Sequence, residues 1–251
     1  MISLKDRVAL VTGASRGIGR ATALIFARAG GHVIINYRDN HGEAADVARM
    51  VEKLGTRALV CRADVADKGQ VDVMVEAAVR EFGRIDILVN NAGIWIHNPI
   101  DAMTEVRLRE TVDTNLMGSF FTIMAVVPHM KKQRSGVIIN VSSTAGQRGE
   151  AFHSPYAATK SAVIGLTKSL AAELVEYNIR VNCVAPGWVE TDMSRPSLIG
   201  AEKDKVLATI PMGRVATPDE LAGPILFLAS DLATFITGEV LNVNGGAVLC
   251  G

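Results

Sequence analysis

A tyrosine and a lysine four residues apart form the most reactive pattern in the sequence. Tyr156 and Lys160 lie in a segment with helical spacing, where residues i and i+4 share one face. A phenol has a pKa of about 10, and a neighbouring ammonium group favours its ionised form. Ser142 and Ser143 precede the pair and could polarise a substrate oxygen. Together these side chains could protonate the alkoxide that forms when a carbonyl group is reduced. The alternative is a packed tyrosine and a solvated lysine, which the small and apolar neighbours in this segment disfavour.

A glycine-rich turn near the start of the chain could bind phosphate groups. Residues 12–19 connect an apolar segment to a helical one and contain Gly13, Gly17 and Gly19 in the spacing GxxxGxG. Glycines there allow a tight turn, close approach of a pyrophosphate and close packing of the helix. Backbone N–H groups at the start of the helix would then bind phosphate. The alternative is a turn without a ligand, but the strand before it and the helix after it favour a dinucleotide site.

The end of the second predicted strand indicates which dinucleotide fits. In α/β proteins that bind NAD next to such a glycine-rich turn, the second strand usually ends in Asp or Glu, which binds the ribose 2′-OH. This chain has Asn36-Tyr37-Arg38 instead, and Arg16 lies in the glycine-rich turn. Two guanidinium groups at this position predict a 2′-phosphate, and therefore NADP(H) in preference to NAD(H). The alternative is that Arg38 is a solvated loop residue.

Short apolar segments alternate with longer helical segments along the whole chain. The seven predicted strands cover residues 8–12, 33–37, 58–61, 85–90, 137–141, 180–184 and 240–243. Several are nearly continuous apolar runs, which is typical of parallel strands buried on both faces. The alternation predicts an α/β fold, a single Rossmann-like doubly wound domain over residues 1–251. It would have a seven-stranded parallel sheet with helices on both faces, in an order extending 3-2-1-4-5-6. Residues 190–212 have no clear pattern and are predicted to form a variable lid.

The composition disfavours several other classes of protein. Among 251 residues, 26 Lys and Arg balance 26 Asp and Glu, so we expect no nucleic-acid partner. The longest charge-free apolar stretch, residues 116–130, is too short to span a bilayer, and no secretory signal is evident. We therefore expect no membrane association and a cytoplasmic location. Cys61, Cys183 and Cys250 predict free thiols in a reducing compartment. The five histidines lack metal-binding spacing, so no metal site is predicted.

In this order and spacing, the motifs resemble those of the short-chain dehydrogenase/reductase family over essentially the whole chain. Further matching segments are Asp64-Val65 after the third strand, Asn90-Asn-Ala-Gly93 after the fourth, Asn115, Pro186-Gly187 with Thr191, and residues 237–246. The resemblance implies an oxidoreductase that interconverts a ketone and a secondary alcohol with a nicotinamide dinucleotide.

The resemblance also implies a role for each matching residue. Tyr156 would be the acid in reduction and the base in oxidation, and Lys160 would hold the nicotinamide ribose and lower the tyrosine pKa. Ser143 would position the substrate oxygen, and its position thirteen residues before Tyr156 favours it over Ser142. Asn115 would keep a water in the proton relay to Lys160. The implied cofactor-binding residues are Gly13, Ser15, Arg16, Gly17, Ile18, Gly19, Arg38, Asp64, Val65, Asn91, Ala92, Gly93, Tyr156, Lys160, Pro186, Gly187, Val189 and Thr191.

Within the family, the chain is most similar to 3-oxoacyl-[acyl-carrier-protein] reductases. This implies NADPH-dependent reduction of a 3-oxoacyl thioester, fatty acid biosynthesis and a homotetramer. Those reductases dock the carrier protein on arginines. Arg134 matches one such position, but residues 173–178 contain no arginine, and the basic run that includes Arg134 is equally consistent with a solvated helix end.

Two other functions stay open at this point. The first is a sugar, polyol or other small-alcohol dehydrogenase on the same scaffold, and the second is a non-catalytic NADP(H)-binding protein. Trp95, His153 and Trp188 are candidate residues of the substrate pocket, because they lie near the carboxyl ends of predicted strands. Each is equally consistent with ordinary loop packing.

Overall fold

A computed structural model describes residues 2–249, which contain a sheet of seven parallel strands in the order β3-β2-β1-β4-β5-β6-β7. The strands are β1 (Val8–Val11), β2 (His32–Tyr37), β3 (Ala58–Arg62), β4 (Ile87–Asn90), β5 (Gly136–Val141), β6 (Ile179–Pro186) and β7 (Val240–Val243). The α/β prediction and the strand order are confirmed, and the observed strand ends differ from the predicted ones by at most two residues.

Helices connect the strands and cover both faces of the sheet. Within the described residues they are α1 (Gly17–Arg28), α2 (His41–Lys53), α3 (Lys68–Phe82), α4 (Glu105–Val112), α5 (Gly118–Gln133), α6 (Ala145–Arg148), α7 (Ser154–Leu174), α8 (Gly200–Ala208) and α9 (Pro218–Ala229). A π-helical turn, Asp113–Met117, joins α4 to α5. The short polar side chain of Asp67 caps α3, and Thr217 caps α9, because their oxygens accept from backbone N–H groups of the first turn.

The first strand shows how the sheet divides the core in two. Ala9 and Val11 belong to one apolar cluster with residues of α1, α2 and α9. Val8 and Leu10 belong to the other, with residues of α3, α5 and α7. Successive side chains of a strand point to opposite faces, so a strand covered on both sides is apolar at every position. This explains the continuous apolar runs in the sequence.

A chain of buried polar side chains links α5, β4, β5 and α7 by hydrogen bonds. The Asn90 amide donates to Asn140 Oδ1 at 3.0 Å, and the Asn140 amide donates to Thr167 Oγ1 at 2.9 Å. Thr122 Oγ1 donates to Asn90 Oδ1 at 2.6 Å. Buried polar groups are stable when they are fully hydrogen-bonded. The network therefore fixes α5 and α7 relative to the ends of β4 and β5.

Residues 190–212 contain two helical elements, Arg195–Ser197 and α8. Val189 and Ala216 pair as an isolated bridge, so the segment leaves the body of the protein and returns to the same place. Its role as a lid stays a prediction, as does the assignment of the whole chain to one domain.

Several sequence-based expectations concern membranes, thiols and metals. None of the helices in residues 2–249 combines the length and hydropathy needed to cross a bilayer. Cys61 and Cys183 are buried free thiols, whereas Cys250 lies outside the described residues. In the same part of the chain, no group of three or more His, Cys, Asp or Glu side chains is arranged to hold a metal ion.

Candidate active site

The carboxyl ends of the strands border a cleft of about 510 Å³. Open α/β sheets bind their ligands at the carboxyl ends of their strands. All the residues predicted to form the site line the cleft, except Gly19, Asn115 and His153. These three lie behind the lining and contact residues that belong to it.

The glycine-rich turn has a backbone shape that side chains would block. Gly13 has a φ of +61°, in the left-handed region that favours glycine. A Cβ atom on Gly19 would clash with the Gly13 carbonyl and lie 2.6 Å from Asn91 Nδ2, so Gly19 allows α1 to pack closely against the turn. Arg16 precedes α1 without a side-chain capping bond, which leaves the first N–H groups of the helix available to phosphate. The turn therefore fits the pyrophosphate of a dinucleotide.

Buried Asn36, at the end of β2, holds this turn in place. Its Oδ1 atom accepts from the Gly13 N–H at 3.2 Å, and its amide donates to the Ala63 carbonyl at 3.0 Å. Its own carbonyl accepts from the Ala14 N–H at 2.8 Å. Asn36 therefore positions the turn rather than touching the ribose, a role that its place in the sequence does not reveal.

The two arginines predicted to select the dinucleotide line the same cleft. Arg16 pairs with Asp192 at 3.6 Å, and Arg38 pairs with Asp39 at 2.8 Å. The hydrogen bond to Asp39 raises the pKa of Arg38 above its usual value. Exposed ion pairs of this kind contribute little stability, so both guanidinium groups can turn to a phosphate at low cost.

Tyr156 and Lys160 lie one turn apart at the start of α7, on the wall of the cleft. The Lys160 Nζ atom is 5.7 Å from the centre of the Tyr156 ring and donates to the Val141 carbonyl at 2.8 Å. Ser142 is already engaged, because its hydroxyl donates to the Lys160 carbonyl at 2.7 Å. The Ser143 hydroxyl accepts from the Ala145 N–H at 3.1 Å and interacts with the Tyr156 hydroxyl. The arrangement favours Ser143 over Ser142 as the residue that positions a substrate oxygen.

Burial changes the acidity of both titratable groups. It raises the pKa of Tyr156 to about 12, the Glu150 carboxylate acts in the same direction, and the Ser143 hydroxyl opposes them. Burial lowers the pKa of Lys160 to about 8. The sequence predicts a lowered phenol pKa, and the protein alone shows a raised one because desolvation disfavours the phenolate. At neutral pH the phenol is protonated, as a proton donor must be.

Asn115 lies in the π-helical turn and holds the segment that follows β4. Its amide oxygen accepts from the Ile94 N–H at 2.8 Å, and its amide nitrogen donates to the Ile94 carbonyl at 2.9 Å. A Cβ atom on Gly93 would lie 3.2 Å from Asn115 Oδ1 and 3.4 Å from Lys160 Nζ. Asn115 thus keeps this segment close to Lys160. The water that it is expected to hold stays a prediction.

Aromatic rings form the outer wall of the cleft. The Trp95 ring stacks on His153, with centroids 4.3 Å apart and planes 8° apart. The Trp188 and Trp95 rings are perpendicular, with centroids 5.9 Å apart. The Trp95 indole N–H donates to Glu150 Oε2 at 3.1 Å, and Glu150 also lines the cleft. The sequence-based reasoning missed Glu150, whose only signal is its position in the turn that leads to Tyr156.

Arg134, the candidate carrier-protein contact, lies at the amino ends of the strands, opposite the end that borders the cleft. It ends α5 just before β5 begins at Gly136, whereas the cleft borders the far end of β5. Lys131 Nζ lies 4.3 Å from the centre of the Tyr177 ring, and the Arg134 guanidinium lies 5.5 Å from it. Within one chain, this basic run is a helix end packed on an aromatic ring.

Comparisons with known proteins agree with this geometry. A family model described as enoyl-(acyl carrier protein) reductase matches residues 13–248. The 3-oxoacyl-[acyl-carrier-protein] reductase FabG of Staphylococcus aureus (strain Mu50) is 44% identical over 238 residues, which are 95% of this chain and 96% of that protein. The L-rhamnose 1-dehydrogenase (NAD(P)(+)) of Azotobacter vinelandii is 43% identical over 249 residues, which are 97% of each chain.

A solved structure is similarly close. It is a gluconate 5-dehydrogenase from Burkholderia cenocepacia in complex with NADP and tartrate, 39% identical, with a TM-score of 0.93 over 98% of this chain and 96% of that one. Proteins named for different substrates thus match this chain almost equally well.

Proposed function

Because the chain belongs to the short-chain dehydrogenase/reductase family and is an oxidoreductase, we propose that it interconverts a ketone and a secondary alcohol with NADP(H). The observation that carries this proposal is that Tyr156, Lys160 and Ser143 line one cleft together with the glycine-rich turn. A nicotinamide dinucleotide bound there would supply or accept the hydride.

In this proposal, each side chain handles one part of the proton chemistry. Tyr156 carries the proton on its hydroxyl and donates it to the substrate oxygen during reduction, and its phenolate accepts the proton during oxidation. The Ser143 hydroxyl donates to the same oxygen and orients it. The Lys160 ammonium group stabilises the phenolate that remains after the transfer.

Two classes of substrate are candidates. A 3-oxoacyl thioester, presented on acyl carrier protein, is supported by relatives of 42% to 44% identity that are named for that substrate. A sugar or polyol is supported by the L-rhamnose dehydrogenase of 43% identity. Arg134 lies at the amino end of β5, away from the cleft, so this residue does not support docking of the carrier protein beside the cleft of the same chain.

Initial rates test the reaction class. We expect NADPH oxidation with acetoacetyl-CoA, or NADP⁺ reduction with at least one neutral sugar or polyol. A chain that binds NADPH but turns over neither class would instead support the non-catalytic alternative.

The arginine pair gives a prediction about cofactor choice. Replacing Arg16 and Arg38 with Ala should raise the KM for NADPH about tenfold or more, since each guanidinium group would form a charge-assisted bond to the 2′-phosphate. The KM for NADH should change little. Arg109→Ala, which removes an exposed, ion-paired arginine of α4 outside the cleft lining, is the matched control. Tighter binding of NADH than of NADPH by the unmodified protein would contradict the NADP(H) assignment.

We further propose a homotetramer in the cytoplasm. Exposed apolar side chains on α5, including Phe120 and Met124, support self-association. The buried free thiols of Cys61 and Cys183 are consistent with a reducing compartment.

A further inference from the structure

Of the carboxylates that line the cleft, Glu150 is the one that acts on the proton donor. Glu150 is half-buried in the turn between α6 and α7, and it lines the cleft together with Ser143 and Tyr156. One of its oxygens, Oε2, accepts from the Trp95 indole N–H at 3.1 Å. The carboxylate is near enough to Tyr156 to change the acidity of the phenol. Glu150 and Tyr156 therefore line one cleft, and a substrate that extends from Tyr156 towards Trp95 can meet the carboxylate.

The hydrogen-bonding capacity of Glu150 is only partly used by the protein. Among the ion pairs of residues 2–249, none includes Glu150. An ionised carboxylate is an acceptor with room for several donors, and one indole N–H satisfies a single position. Covering the carboxylate with a ligand that offers no donor would leave a desolvated charge, which is costly.

The carboxylate is also held in a fixed place. Trp95, which donates to it, is itself fixed by stacking on His153 and by the edge contact with Trp188. The Glu150 carbonyl accepts from the His153 N–H at 3.2 Å, so the turn closes on the same ring. A group fixed in this way can select substrates by the position of their donors.

We propose that Glu150 binds a hydroxyl group of the substrate, and that the physiological substrates are neutral polyhydroxylated compounds, namely sugars or polyols. This inference rests on the proposed function, because it uses the same cleft and the same proton donor. A 3-oxoacyl chain has methylene groups where Glu150 needs donors. A hydroxy acid that places its own carboxylate at Glu150 brings two negative charges together, which is unfavourable.

Kinetics of Glu150 variants test the assignment. The substrates are L-rhamnose, xylitol, D-sorbitol and D-glucose for oxidation with NADP⁺, with D-gluconate as the anionic comparison and acetoacetyl-CoA for reduction with NADPH. We expect the unmodified protein to have its highest kcat/KM with one of the neutral sugars or polyols. Glu150→Leu should lower that kcat/KM about 10- to 100-fold, mainly through KM, as expected for loss of a hydrogen bond to a charged group. The loss with acetoacetyl-CoA should be smaller than the loss with the sugar, because a 3-oxoacyl chain offers Glu150 no hydroxyl group.

Two further variants separate recognition from folding. Glu150→Gln keeps an acceptor oxygen and should fall between Leu and the unmodified protein. Glu176→Gln removes an exposed carboxylate outside the cleft lining and should change neither KM nor kcat. Thermal unfolding midpoints of all three variants show whether a loss of activity reflects loss of fold.

Binding can be followed without turnover, because the only two tryptophans of the chain both line the cleft. Titrating the NADP⁺-loaded protein with the best sugar should change tryptophan fluorescence, and Glu150→Leu should shift the midpoint to at least tenfold higher sugar concentration. The inference is overturned if both Glu150 variants keep the sugar KM and the titration midpoint, or if acetoacetyl-CoA is the preferred substrate. If no ketone or alcohol is turned over while the sugar still binds through Glu150, the proposed reaction fails and the recognition site stands.

Discussion

Replacing Tyr156 with Phe is expected to lower kcat for ketone reduction about 10²- to 10⁴-fold, the range typical of losing a positioned general acid. The substitution removes one hydroxyl group and keeps the ring that packs at the start of α7. The KM for NADPH and the thermal unfolding midpoint should therefore stay close to those of the unmodified protein. Single-turnover absorbance at the NADPH band separates the chemical step from product release.

Tyr177→Phe is the matched control for this variant. Tyr177 lies beyond the end of α7 and contacts Lys131 and Arg134. These residues lie near the amino ends of the strands, whereas the cleft borders the carboxyl ends. Losing its hydroxyl group should leave kcat unchanged. Full reductase turnover by Tyr156→Phe would show that another group donates the proton, and the assignment of the acid would be wrong.

The α/β fold could be predicted from the sequence because the pattern that indicates each strand or helix lies in consecutive residues. A strand covered by helices on both faces must be apolar at each position. The residues around Leu10 in β1 and around Ile34 in β2 are accordingly apolar without interruption. The spacing of Tyr156 and Lys160 is equally local, because four residues are about one helical turn. Such patterns need no knowledge of which segments meet in space.

The missed features depend on contacts between distant parts of the chain. The functional meaning of Glu150 comes from Trp95, which is 55 residues away. Gly146 resembles many other glycines in the sequence, yet a Cβ atom there would lie 2.6 Å from the Lys160 carbonyl carbon. It allows α6 to pack directly on the helix that carries the lysine. No pattern in the neighbouring residues predicts such a contact.

The raised pKa of Tyr156 has the same origin. The sequence places an ammonium group beside the phenol, and this alone predicts a more acidic hydroxyl. In the folded protein, residues from the ends of several strands bury the phenol, and the Glu150 carboxylate disfavours its ionised form. Desolvation is a sum over all those neighbours, so its size becomes known only once the chain is folded.

The second large effect is expected at Lys160, where pH gives the test. Burial lowers the pKa of its ammonium group to about 8, so the charged form is present below that pH and is lost as the pH rises through it. The phenol, with a pKa of about 12, stays protonated over this range. Reduction by the unmodified protein should therefore be constant between pH 6 and 7 and should fall above about pH 8. The fall reports the loss of the cation rather than of the acid.

Lys160→Met is expected to lower kcat for reduction about 100-fold, because the phenolate formed after proton transfer loses its neighbouring cation. The fall in rate above pH 8 should disappear in this variant, and a merely structural lysine would not produce that change. Methionine fills a similar volume but leaves the Val141 carbonyl without its donor, so the unfolding midpoint should drop modestly. Lys168→Met, at an exposed position two turns further along α7, should keep both the rate and the pH profile. If Lys160→Met keeps the fall near pH 8, a different group titrates there, and the lysine has no part in stabilising the phenolate.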